Sequence, residues 1–183
     1  AGSLQQNLSH AGFPLESLYP VNPKQKQVFG LPCFPSVKAI PNPVDLAVMA
    51  VPQPLVVPLA RECGEKEVKA LLVLSTGFAE TGEEGKRLQE ELSAVARRFG
   101  MLLLGPNTLG YVIPRSKGWF WSTALPKRLS HGKVGAIFHS SGMLNLFFNR
   151  RKKNFFKNKH QQAEVKNLGQ SGKSVNIHKL ISF

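Results

Sequence analysis

Lys69-Ala70-Leu71-Leu72-Val73-Leu74-Ser75-Thr76-Gly77-Phe78 opens the stretch that decides the fold. A short apolar run bounded by turn-forming residues reads as a buried strand, here Lys69 to Leu74. A helical pattern follows from Thr81 to Phe99, with Leu88, Leu92, Val95, Ala96 and Phe99 recurring on one face. Thr81 and Glu84 have the spacing of a capping box, in which each side chain satisfies an orphan backbone N–H. Acids fill the first turns and Arg97 and Arg98 the last, as the helix dipole favours. Gly100 supplies a left-handed stop. A second apolar run, Met101 to Leu104, completes strand, helix and strand, the unit of a parallel sheet.

The pattern extends outward in both directions. Ser17 to Pro20 and Asp45 to Val51 read as two further buried strands, and Val134 to Phe138 as a fifth. A short helix is expected from about Pro58, a good first-turn residue, to Cys63, with Gly64 as its stop. Ser3 to His10 forms another, ending near Gly12. Tyr111 to Gly132 reads as a linker: it carries Pro114, Pro126 and an aromatic trio, Trp119, Phe120 and Trp121, suited to packing a domain junction. No internal repeat is evident.

Totals set the class. A chain of 183 residues, 42% apolar, has room for one domain, or for one domain and part of a second. No apolar stretch reaches the length of a membrane span, and no basic region followed by an apolar run opens the chain. Cys33 and Cys63 lack metal-ligand or disulfide-framework spacing, so two reduced thiols in a cytoplasmic protein is the plain reading. The net charge of +13 is uneven: residues 1–145 hold 15 Lys and Arg against 10 acids, whereas residues 146–183 hold 9 against Glu164 alone. The charge describes a tail, not a domain.

In open parallel sheets, ligands bind beyond the C-terminal strand ends. Those ends carry Val21-Asn22-Pro23-Lys24, Pro52, Ser75-Thr76-Gly77 and Gly105-Pro106-Asn107. All are small, turn-forming or hydrogen-bonding residues that let backbone amides approach a phosphate, and each taken singly is also ordinary turn chemistry. After the first strand, an NAD-binding fold places an acid for the ribose hydroxyls, and a cation suits a phosphorylated ribose. Here Asn22 and Lys24 stand there with no acid, and no G-x-G-x-x-G occurs, so an NAD dehydrogenase is disfavoured. Lys24 matches the ribose phosphate of coenzyme A in charge; as a lone lysine it is equally a solvated surface cation.

The same strand ends carry a family resemblance. Tyr19 to Lys24, Pro43 to Val48, Gly77 to Gly85 and Gly105 to Asn107, in that order, resemble the CoA-binding, Rossmann-like domain of ADP-forming acetate–CoA ligases. They are more distantly similar to the alpha subunit of succinyl-CoA synthetase. The resemblance spans Ala11 to Ile113 and continues more weakly through residues 132–142, where that family begins a flavodoxin-like second domain. It implies a CoA-binding domain over residues 1–113, a linker over 114–132, and a partial second domain with a divergent basic tail over 133–183. It further implies that Lys24, with Asn22, contacts the adenosine phosphate end, that Pro52, Ser75, Thr76 and Gly77 line the nucleotide and pantetheine, and that Asn107 shapes the active-site turn. Ser140 and Ser141 stand where the family holds a phosphorylated group at a helix N-terminus, although His139 breaks its Ser-Gln-Ser-Gly pattern.

The implied reaction joins an acid and CoA at the expense of ATP, giving acyl-CoA, ADP and phosphate through a phosphorylated histidine. His10, His131, His139, His160 and His178 do not stand in that histidine's context, so no catalytic residue is assigned and the chain is expected to be inactive alone. ATP and ADP with magnesium belong to further domains or a second subunit carrying the ATP-grasp part. The family's first strand and Gly-rich turn do not precede Ala1, and Gly2 to Gly12 resembles the end of the helix that follows them. That strand is central in a doubly wound sheet, so the chain is expected to be a fragment or to depend on another polypeptide. Arg150 to Lys159, basic with interleaved aromatics, is a divergent surface tail or, in a second reading, a nucleic-acid contact for a non-catalytic CoA- or nucleotide-responsive module. Residues 165–183 carry a faint strand-turn-helix pattern around Gly169.

Overall fold

The computed structural model describes residues 2–116, 118–129, 135–138, 140, 142–143 and 180–182. Its centre is a five-stranded parallel sheet of β1 (Leu18–Pro20), β4 (Leu46–Met49), β5 (Ala70–Val73), β6 (Leu102–Leu104) and β9 (Leu180–Ser182), in the order β1-β9-β4-β5-β6. Alternation along the strands buries both faces. Ala47, Met49, Leu71 and Val73 face the helices α2 (Gln53–Glu65) and α3 (Glu83–Arg98), whereas Leu46, Val48, Ala70 and Leu72 join Leu4 and Leu8 of α1 (Gly2–Ala11). Two short hairpins decorate the sheet: β2 (Gln27–Val28) with β3 (Leu31–Pro32), and β7 (Gly110–Val112) with β8 (Trp119–Trp121).

The mixed α/β architecture and its four expected strands are present, each strand shortened by one to three residues. The central position between β1 and β4, expected to be open, is filled. Leu180, Ile181 and Ser182 pair in parallel with Leu18, Tyr19 and Pro20 on one side and with Leu46, Ala47 and Val48 on the other. Leu180 is fully buried. The place expected to be left open is taken by residues near the far end of the same chain.

Four local expectations need correction. The Thr81–Glu84 capping box does not form. Thr81 Oγ1 donates to the Phe78 carbonyl at 2.8 Å in a short 3-10 turn, Glu84 pairs with Arg87, and Gly82 (φ 106°) turns the chain into α3. The second helix begins at Gln53, not Pro58: Pro54 is its first-turn proline, and Pro58 lies inside it, where it forfeits one hydrogen bond. Gly64 is not the stop. It lies within α2, where a Cβ would stand 2.3 Å from the Phe99 ring, and Glu67 (φ 61°) takes the left-handed position instead. Finally, residues 135–138 are in no strand: Ile137 is 83% exposed, without the burial that an inner strand requires. The remainder of that expected strand, the basic run 150–159 and residues 165–179 lie outside the described residues.

The stretch expected to be a linker holds the β7–β8 hairpin. Its aromatic trio is buried: Phe120 packs edge-on to Phe13 at 6.3 Å, and Trp119 and Trp121 cluster with Leu125. Asn7 of α1 fastens this segment. Its Nδ2 donates to the carbonyls of Trp121 and Thr123, and its Oδ1 accepts from the Leu125 amide.

Candidate functional site

Because β1, β9, β4, β5 and β6 all run in parallel, the loops that follow β1, β4, β5 and β6 emerge on one edge. Asn22 and Lys24, Pro52, Ser75 to Gly77, and Asn107 therefore share that edge. Asn22 stands two strand positions from the end of β4, roughly 10 Å at the usual strand spacing.

Three of these loops are tied directly to one another. Ser75 is 9% exposed, and its hydroxyl donates to the Val51 carbonyl at 2.6 Å while accepting from the Val51 amide at 3.2 Å. Its carbonyl accepts from the Asn107 amide at 2.9 Å. Gly77 (φ 98°) closes against the first residue of α2: an added Cβ would lie 3.2 Å from Gln53 Cβ and Cγ. Gly105, also left-handed, brings the last turn so near β5 that a Cβ would meet the Val73 carbonyl oxygen at 2.3 Å. Small residues here let backbone segments touch.

Each expected residue has a distinct environment. Asn22 closes its own turn, its Oδ1 accepting from the Lys24 amide at 2.9 Å. Lys24 is exposed and takes part in no ion pair among the described residues. Pro52 is exposed at the N-cap of α2, a helix whose first turn holds no acid. Ser75 sets the spacing of two loops with its hydroxyl, while its exposed neighbour Thr76 has no such tie among the described residues. Asn107 is exposed in a left-handed conformation (φ 56°) after a cis Gly105–Pro106 bond. Ser140 is exposed and its carbonyl accepts from the Met143 amide; Ser141 and His139 lie outside the described residues. No hydrogen bond among the described residues links Ser140 to the strand-end loops.

Two participants escaped sequence reading. Glu80 reaches back so that its Oε1 accepts from the Gly77 amide at 2.7 Å. The backbone amides of Glu80 itself, Gly77 and Phe78 hold this carboxyl below the usual carboxylate range. A carboxylate three residues after a turn glycine was the available signal. Val51, the anchor for Ser75, carries no signal, since it acts through its main chain. The shallow surface pocket lined by Gly2, Gln5, Gln6 and Leu15 runs along α1 and contains none of the site residues. Among the described residues, no cluster of His, Cys, Asp and Glu could hold a metal ion, and no helix is long and apolar enough to cross a membrane.

A parallel sheet covered by helices on both faces, with small-residue loops converging at its C-terminal edge, defines a Rossmann-like ligand-binding domain. The model of the CoA binding domain family matches residues 4–114, and the chain belongs to that family. Acetate–CoA ligase [ADP-forming] I of Archaeoglobus fulgidus is 49% identical over 96 residues, which cover 52% of this chain and 14% of that enzyme. The alpha subunit of acetate–CoA ligase [ADP-forming] II of Pyrococcus furiosus is 47% identical over 93 residues, covering 51% of this chain and 20% of the subunit. Among solved structures, the dinucleotide forming acetyl-coenzyme A synthetase 1 of Ca. Korarchaeum cryptofilum, in complex with phosphate and ADP, superposes with a TM-score of 0.71 at 34% identity. That superposition covers 81% of this chain and 31% of the other. The chain thus spans about a fifth or less of the length of these curated relatives and corresponds to their CoA-binding part.

Proposed function

We propose that this chain binds coenzyme A along the C-terminal edge of its sheet, as the CoA-binding portion of an acyl-CoA synthetase of the ADP-forming kind. The observation that carries this reading is the Ser75 junction, which ties the loops after β4, β5 and β6 into one edge within a CoA binding domain. The residues fit the ligand. Lys24 offers an exposed cation, in no ion pair among the described residues, for the ribose phosphate, next to the Asn22 turn that orients it. Pro52, Thr76 and Gly77 line the path of the nucleotide and pantetheine, Ser75 positions that lining, and Asn107 shapes the last turn. Ser140 and Ser141 belong to the phosphate turn of a second domain over residues 133–183, joined by residues 114–132 to the CoA-binding domain over 1–113.

In this reading the complete reaction converts acid, CoA and ATP into acyl-CoA, ADP and phosphate in the cytoplasm. The ATP-grasp part, with magnesium and the phosphorylated histidine, is contributed by other domains or by a second subunit. Relatives named as alpha subunits support that division of labour.

Calorimetric titration of the chain with CoA and with dephospho-CoA tests the reading. Lys24→Ala should weaken CoA binding about tenfold, the worth of one charge-assisted contact, and leave dephospho-CoA unchanged. Equal losses for both ligands would remove Lys24 from the ribose-phosphate site, and no CoA binding by the unaltered chain would sink the proposal.

A further inference from the structure

The turn after β5 presents backbone amides at the ligand edge, and side chains of the protein itself occupy them. Gly77, left-handed at φ 98°, donates its amide to Glu80 Oε1 at 2.7 Å. The Ala79 amide donates to Gln89 Oε1 of α3 at 3.4 Å. Glu80 is exposed and takes part in no ion pair among the described residues. Main-chain N–H groups answer its charge instead: the amides of Glu80, Gly77 and Phe78 hold its carboxyl below the usual range. Turn amides that converge on one anion form a nest, a general anion-binding device.

The nest has its shape without Glu80. Phe78 is fully buried, and its carbonyl accepts from both the amide and the hydroxyl of Thr81 at 2.8 Å. Gly77 is confined on its other side by Gln53, the first residue of α2. The carboxylate is thus a removable occupant of a standing frame, and an exposed carboxylate that swings away regains water at small cost. The expected lining residues Pro52, Ser75, Thr76 and Gly77 include no acid, so Glu80 sets a negative charge on the path assigned to the nucleotide. A diphosphate offers more charge and more acceptor oxygens to the same amides than a carboxylate does. We propose that Glu80 is a built-in anionic competitor at this site, and that the diphosphate of bound coenzyme A displaces it from the Gly77 amide. This inference rests on the coenzyme A reading above. While the site is empty, the carboxylate keeps the Gly77 amide satisfied, and every incoming anion must outcompete it, which discriminates against singly charged ones.

Two measurements on the full chain test this. In calorimetric titration, Glu80→Gln should bind CoA about fivefold more tightly than the parent, the scale of one exposed charge contact. Glu90→Gln, which removes the same charge from an exposed position further along α3, should bind as the parent does. In NMR of the parent, the carboxyl carbon of Glu80 should move to the shift of a solvated glutamate as CoA saturates the chain. Unchanged or weaker binding by Glu80→Gln, equal tightening by Glu90→Gln, or a Glu80 carbon that stays in place at saturation would each overturn the displacement. All three outcomes leave CoA binding itself standing. If neither the parent nor Glu80→Gln binds CoA, the coenzyme A reading falls and this inference falls with it.

Discussion

The backbone amide of Asn107, in the turn after β6, donates to the carbonyl of Ser75, at the end of β5, across 2.9 Å. Ser75 in turn grips Val51 through its hydroxyl, so three strand-end loops share one residue. A site assembled from separate loops needs such a junction, because each loop alone could relax independently of the others.

Ser75→Ala should therefore cost about 1–3 kcal/mol, the penalty for leaving partly buried polar groups of Val51 without their partner. Urea denaturation would report it. Thr76→Ala, at an exposed neighbour, should stay within about 0.5 kcal/mol of the parent. Comparable effects for the two would remove the junction role from Ser75.

Gly64 and Phe99 set the approach of α2 to α3. Gly64→Ala should destabilise by about 1–3 kcal/mol, since the new Cβ would stand 2.3 Å from the Phe99 ring. The helix-propensity gain of about 1 kcal/mol does not compensate. Combining it with Phe99→Leu should cost less than the sum of the single changes, a coupling that a double-mutant cycle measures.

Glu80 links stability to pH. Its folded-state carboxyl is held low by the amides of Glu80, Gly77 and Phe78. Its contribution is therefore fully present above the unfolded carboxylate range and is lost as pH falls through the lower, folded value. Glu80→Gln should flatten the acid-side decline of the melting temperature slightly, the group being exposed. A carboxyl titration by NMR that places Glu80 at or above the ordinary range would refute the turn contact.

Asn7 pins α1 to the segment after the aromatic hairpin by three hydrogen bonds. Asn7→Ala should cost about 3 kcal/mol, because it removes three hydrogen bonds made by a buried side chain, one of them from the Leu125 amide. Asn7→Asp should be worse, with a carboxylate oxygen set against the Trp121 and Thr123 carbonyls. Tryptophan emission should shift to the red if the hairpin loosens. An unshifted spectrum with unchanged stability would contradict the pin.

Much of the fold was legible because its signals are local. The amphipathic face of α3 is set by the spacing of Leu88, Leu92, Val95 and Ala96, and Gly100 at φ 67° ends the helix with Met101 bonding back to Ala96. The strand-end residues could be named because apolar runs break at turn formers. Local signals misled where a competing contact existed. Thr81 had the Phe78 carbonyl within reach, so the capping box lost; Gly64 resembled a helix stop but is needed small because Phe99 lies over it. The hairpin around Trp119 to Trp121 was read as a linker because its register depends on burial against Phe13 and on Asn7, more than a hundred positions away.

Sequence by itself determined the parallel βα architecture, the residues at the strand ends and the kinship with CoA-binding domains, since apolar period, turn chemistry and motif order are written along the chain. Tertiary structure alone decided that Leu180–Ser182 enters between β1 and β4, and that Ser75 joins Val51 to Asn107. The reason is physical. Strand pairing and main-chain hydrogen bonds use groups that every residue carries, so short segments look alike along the sequence, and only the ladders and burial of the folded molecule select which of them pair.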